Sequence, residues 1–310
     1  MSTPSPDPLA GLDSIDWSQL THAYGSAEDV PILLRQLQST NPDEYTTAGD
    51  ELLSTICHQG TRYSASVEAV PFLYSLLDHE ATKSRGFLLH LITALAVGHP
   101  SWSVPHGIDV VKWQKRIAEI QAPVHRGPEL DEFKAYEAVE RGLDSVIQCL
   151  EDEPANIRAI AAHTLAFFPR QSEESTVALL DLYNRETNCA VRGTVVLAVA
   201  IMFAPLGPDS KKSEMIQQLR DYYEAARGVD GSDDLTRWSC ATALVILGSA
   251  QKELVEETRR VVTDEAYLAS LDESIGTDMD FPFATFSLRS LAESVLVGSK
   301  VSSLVDTDAS

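Results

Sequence analysis

The chain has 310 residues, 44% of them hydrophobic and 23% charged, and a formal net charge of −22. That length and composition fit an ordinary soluble globular protein. The acidic field repels phosphate backbones and anionic bilayers, which argues against nucleic acid or a membrane as partner.

The opening MSTPSPDPLAGLDS carries neither a basic start nor an apolar run, so no signal peptide is expected. No apolar stretch reaches the roughly 18 residues that a membrane span needs. Four dispersed cysteines, Cys57, Cys149, Cys189 and Cys240, form no CxxC and read as buried small side chains in a cytoplasmic protein.

In chain order, residues 1–13 are Ser/Pro/Asp-rich and are expected to be a disordered tail. Ser18–Ala23 reads as a short helical turn anchored by Trp17 and Leu20. The first full helix is expected to begin at Gly25-Ser26, with Ser26 as N-cap and Val30, Leu33, Leu34 and Leu37 on its apolar face. After Asn41-Pro42 a second helix carries Tyr45, Ala48, Gly49, Leu52, Leu53 and Ile56, a 0, 3, 4, 7, 8, 11 spacing that marks one helical face.

The pair then recurs about forty residues on. Glu68-Ala69-Val70-Pro71 echoes Glu28-Asp29-Val30-Pro31, and Phe87, Leu88, Leu91, Ile92 and Leu95 repeat the second stripe. Residues 99–129 break the rhythm and read as an insertion, with a helix over Ile108–Gln121. Leu130–Leu150 is expected as one helix, paired with Ile157–Phe168. Ser175–Arg185 then pairs with a helix from Val191, Lys212–Arg227 with one around Thr236, and Gln251–Val262 opens the last unit, which ends on a helix carrying Leu288 to Leu296. The tail is expected over 299–310.

Six second-type helices thus share one template, and five place Arg at its second position: Arg85, Arg158, Arg192, Arg237 and Arg289. Asp152 and Glu186 each stand six residues before an Arg, and are expected to cap the helix and pair with Arg158 and Arg192 inside their own units. At these positions the chain resembles the HEAT-repeat (armadillo-like) family, in which an Asp in the turn and an Arg in the second helix are the signature pair. The wording from Tyr24 to Pro31, with His58-Gln59-Gly60-Thr61 and Ala69-Val70-Pro71-Phe72-Leu73, also resembles a bacterial group of HEAT-repeat proteins with no established activity to lend. The resemblance implies an all-α, right-handed α-solenoid of about six two-helix repeats over residues 14–298, since such units bury their faces only by stacking.

No GxSxG, GxxxxGK[ST], GxGxxG or HExxH is present, and no residue set marks a catalytic, metal or cofactor site. Iron-binding HEAT enzymes use several His-Glu pairs; here there is one, His79-Glu80. HEAT-like DNA glycosylases need a basic face that a −22 chain does not offer. The helical template also leaves His90 and His163 off the apolar stripe, as partly exposed positions.

The expected function is therefore a non-catalytic protein-binding or scaffold module, with an acidic surface suited to a basic protein partner. In stacked two-helix units the inter-repeat turns share one edge, so the candidate partner-binding residues are Tyr24, His58, Gln59, Tyr63, Trp102 and His106. The alternative is an enzyme or small-ligand binder with its site at that edge and the 99–129 insertion.

Overall fold

The structure, a computed structural model, describes residues 7–119, 128–227, 233–277 and 279–298. It is all-α: sixteen helices and one two-residue hairpin occur among the described residues. The chain divides into two lobes. The first holds the described residues up to Pro100 together with Val111–Val146, and the second holds Ser101–Val110 with the described residues from Ile147 onward.

The first lobe begins earlier than composition suggests. Of the expected tail, residues 1–6 lie outside the described residues, but Leu9 and Leu12 are buried. Asp7 accepts from the Leu9 N–H, and the Trp17 indole donates to the Leu12 carbonyl at 3.0 Å. Burial of two leucines outweighs the turn-forming composition around them.

Trp17–Gln19 is a 3-10 turn. Then β1 (Thr21–His22) and β2 (Gly25–Ser26) pair antiparallel, so Gly25-Ser26 is a hairpin strand and not a helix start. Helix α1 (Val30–Gln36) begins after Asp29 with Pro31 in its first turn, where a missing N–H costs nothing. Helix α2 (Pro42–Ile56) follows, its Asp43 N–H capped by the Asn41 side chain.

Helix α3 (Ser64–Asp78) starts seven residues before Pro71, because Ser66 accepts from the Tyr63 N–H and donates to the Ile56 carbonyl. The same Val-Pro wording thus falls in a first turn in α1 and in a helix interior in α3. Helix α4 (Arg85–Val97) packs on α3, and α5 (Pro100–Ser103) and α6 (Val110–Glu119) are short.

The helix expected over Leu130–Leu150 is broken into α7 (Pro128–Glu140), α8 (Leu143–Gln148) and a 3-10 turn at Cys149–Glu151. Tyr74 explains the break. Its hydroxyl donates to the Val139 carbonyl at 2.8 Å, and its ring lies where any Cβ on Gly142 would sit, 2.3 Å away.

The second lobe is built on α9 (Ala155–Leu165), α11 (Cys189–Phe203), α13 (Asp234–Ile246) and α16 (Leu288–Gly298), which pack in that order. Helix α10 (Ser172–Arg185) lies on α11, and α12 (Ser210–Arg227) and α14 (Lys252–Thr263) lie on α13. Helix α15 (Glu265–Ile275) sits in a stretch with no expected helix. Helix α11 is buried on nearly all sides from Ala190 to Phe203, so its stripe is only part of its core contribution. His163 is buried too, its ring 4.7 Å from that of Phe283 and 5.2 Å from that of Phe167. His90 is exposed.

Candidate functional site

In the first lobe the hairpin fixes Tyr24. Gly25, at φ 126°, permits the tight turn, and the Tyr24 N–H donates to His22 Nδ1 at 3.0 Å. That nitrogen must therefore be unprotonated, so Nε2 carries the hydrogen and donates to Asp29 Oδ1 at 2.9 Å. The Tyr24 hydroxyl lies 3.2 Å from His58 Nδ1, with the rings edge-on at 5.3 Å. The same nitrogen is 3.0 Å from the Ser54 carbonyl, an acceptor only, so Nδ1–H is the donor. Sequence spacing of 34 residues thus closes into one contact.

The turn after His58 is held from below. Gln59 is exposed and adopts φ 49°, a left-handed conformation unusual for a side-chain-bearing residue. Arg62 is buried, donates to the Gly60 carbonyl, and lies 3.7 Å from Glu132. Burial lowers its pKa, opposed by Glu132. Beside it, burial pushes the Cys57 thiol up to about 11, and the sulfur donates to the Ala94 carbonyl, so this thiol is unreactive at neutral pH. Tyr63 is half-buried, and burial raises its phenol's pKa.

The second lobe holds Trp102 and His106, so the six-residue edge expected from topology is divided between the lobes. His106 packs beside Gly298, its Cε1 3.2 Å from where a Cβ there would stand. Trp102, on α5, is 77% exposed, and Phe286, just before α16, is 85% exposed. Both line one cleft of about 190 Å³, closed below by buried Val104, Phe283 and Leu291. Its lining carries no charge; serines and Thr285 supply the polar side chains, with Ser287 and Ser290 hydroxyls 3.1 Å apart. Trp113, the other Trp of the insertion, is half-buried in the first lobe, 5.2 Å from the Phe133 ring and 5.5 Å from the Tyr136 ring.

The template arginines reach further than their own units. Arg158 Nη1 donates to the Asp152 main-chain carbonyl at 2.9 Å, but the carboxylate it takes is Glu186, at 2.7 Å from both Nε and Nη2. Glu186 Oε1 accepts from the N–H groups of Thr187 and Asn188 at 2.9 Å, tying the turn before α11. Arg192 does not pair with Glu186; it bonds Asp233 at 3.0 Å and the Tyr183 hydroxyl at 2.9 Å. Arg237 takes Glu257 and Asp234, and Glu257 also accepts from the Tyr267 hydroxyl at 2.8 Å. The correction has a geometric cause: a guanidinium on a long stem reaches the following unit's turn, where a carboxylate can be met sideways by two N–H groups.

Sequence reasoning missed Phe286, which precedes the last stripe and belongs to no helical face. It also missed exposed Val177, on the outer side of α10. Their signal is an apolar residue out of register with the stripe beside it. Among the described residues, no three His, Cys, Asp or Glu side chains converge as a metal site, and no helix is long and apolar enough to cross a membrane.

No family model and no curated protein matches the chain. A match among solved structures is the crystal structure of an engineered protein from the Northeast Structural Genomics Consortium, at 16% identity and a TM-score of 0.42. It covers 88% of this chain and 97% of that one.

Proposed function

We propose that the protein is a non-catalytic protein-binding module built as a HEAT-like α-solenoid, and that its partner is a basic protein. The observation that carries the reading is the pair Trp102 and Phe286. Two large aromatic side chains left almost wholly in water beside a cleft are typical of interface hot spots, which favour aromatic anchors. The net charge of −22 favours a basic partner on electrostatic grounds. The recurring helix template and the arginines that link one unit to the next support the solenoid reading.

The rival, a small-ligand or enzyme site at the insertion, is favoured by the same cleft's uncharged, serine-rimmed lining. The cleft's volume of about 190 Å³ favours the protein-binding reading instead, because small-molecule sites occupy roughly 300–1,000 Å³. One anchoring side chain of a partner is the better fit.

The test is quantitative capture from cell extract on the immobilised chain, comparing wild type with Trp102→Ala/Phe286→Ala. A partner retained by wild type and reduced at least tenfold by the double variant, at unchanged melting temperature, is the expected result. Equal capture by both proteins overturns the role given to the cleft.

A further inference from the structure

A second surface of the same lobe has a different chemistry. The outer side of α10 carries Glu173, Glu174, Val177, Ala178 and Asp181, a spacing that places all five on one helical face. Val177 is 71% exposed there. Facing it across a groove of about 840 Å³ stand Ile147 and Leu150 of the α8 segment, with Glu151 at the rim. Ile147, Leu150, Val177 and Ala178 give the groove its apolar surface, and Gln148 and Gln171 add amides. The rim carries four carboxylates, Glu151, Glu173, Glu174 and Asp181, and the Arg170 guanidinium, with Arg185 and Lys211 standing beside the rim.

Three of those carboxylates have partners: Arg185 reaches Glu151 and Asp181, and Lys211 reaches Glu173 at 3.1 Å. All these pairs are solvent-exposed, and such pairs contribute little, so an incoming cation exchanges with them at small cost. Glu174 is exposed and adds a fourth negative charge.

We infer that this groove docks a basic amphipathic helix, its apolar residues on Val177, Ala178 and Ile147 and its Lys or Arg side chains along the carboxylate rim. Charge complementarity selects a basic occupant. One wall is the face of helix α10, along which an incoming helix can lie. The inference rests on the protein-binding reading, yet uses none of the residues of the Trp102 cleft.

The probe is a fluorescein-labelled amphipathic peptide of Leu, Ala and Lys, about 18 residues or five turns long, followed by fluorescence anisotropy on the full chain. Its controls are a scrambled peptide of equal charge and a Glu-for-Lys version. Wild type should bind the amphipathic peptide at least tenfold more tightly than either control. Binding should weaken severalfold as salt rises past the point where exposed charges are screened.

Glu174→Lys/Val177→Lys alters only exposed side chains and should reduce binding at least tenfold. Trp102→Ala/Phe286→Ala should leave it unchanged. Equal binding of the amphipathic and scrambled peptides overturns the inference, as does wild-type affinity in the Glu174→Lys/Val177→Lys protein. If the peptide fails on wild type while Trp102-dependent capture persists, the groove assignment alone is lost. If both are absent, the protein-binding reading is lost with it.

Discussion

In the second lobe the arginines of α9, α11 and α13 each end on a carboxylate from a later segment, whereas Trp102 and Phe286 are 77% and 85% exposed. The first region engages most of its donors, although Arg192 Nε is buried with no hydrogen-bond partner. Arg158 spends Nε, Nη1 and Nη2 on Glu186, Asp152 and Glu153, so little hydrogen-bonding capacity is left for a newcomer. The second region leaves two aromatic rings unburied, although burial of such a side chain stabilises by about 1.5–3 kcal/mol. Donors spent on neighbouring segments hold the fold; on the function proposed above, the exposed rings are the groups whose complement is another molecule.

Arg158 and Glu186 form the most buried of these pairs. Glu186→Ala removes a carboxylate whose side chain is 5% exposed and leaves Arg158, 16% exposed, with main-chain carbonyls only. It also strands the N–H groups of Thr187 and Asn188. Loss of one partner of a largely buried, hydrogen-bonded pair should lower unfolding free energy by about 2–4 kcal/mol. Urea titration reads the loss, and peptide binding by the folded fraction should not change. A destabilisation below about 0.5 kcal/mol, the range of ordinary surface substitutions, would remove Glu186 from the structural class.

A somewhat smaller effect is expected at Arg192, which is more exposed. Its guanidinium bonds Asp233 and the Tyr183 hydroxyl and lies 4.6 Å over the Tyr183 ring. Arg192→Lys keeps the charge but cannot make both bonds or stack. Arg192→Ala should cost about 1–3 kcal/mol, and Arg192→Lys should recover less than half of it. Full recovery by Lys would mean that charge alone matters there.

These pairs also show what can be read from a one-dimensional pattern. The arginines were legible, because a helical template with one recurring polar slot stands out against apolar neighbours. Their carboxylates were not: Asp233 and Glu257 lie in the next turn or helix, and a spacing rule counted within one unit cannot see across units. The Tyr24–His58 contact was legible because both residues sit in turns. The hairpin at Gly25-Ser26 was hidden by Ser26, a good N-cap residue placed before Glu and Asp, which mimics a helix start. The break at Gly142 depends on a ring 68 positions away, beyond any local signal. Phe286 and Val177 are visible only as residues out of register.

At the exposed aromatics the expected stability effect is small and the binding effect large. Trp102→Ala and Phe286→Ala together should shift unfolding free energy by less than about 0.5 kcal/mol. If denaturation instead shows a cost of about 2 kcal/mol or more, in the range of a core truncation, the rings are packing groups, and the contrast with the arginines disappears.

The smallest effect sits where the arginine network ends. Asp264 precedes α15, and its Oδ1 accepts from the Tyr267 N–H at 3.0 Å. Its Oδ2 lies 3.4 Å from Arg260 Nε. The Tyr267 main-chain bond, chiefly, and Arg260 hold its carboxyl below the ordinary Asp value of 3.8. The cap matters to the network because the Tyr267 hydroxyl donates to Glu257, the carboxylate of Arg237. A folded-state pKa below the unfolded one means that the charged cap stabilises fully above the unfolded value. That contribution is lost as pH falls from about 4 through the depressed folded value. Asp264→Ala should therefore melt below wild type at pH 7, with the gap closing as pH is lowered toward 3. Asp264→Asn keeps a good capping oxygen and should show a smaller gap at pH 7. A gap for Asp264→Ala that stays constant from pH 7 to pH 3 would show that the carboxylate's charge contributes nothing there, and that only the geometry of the turn carries α15 onto Glu257.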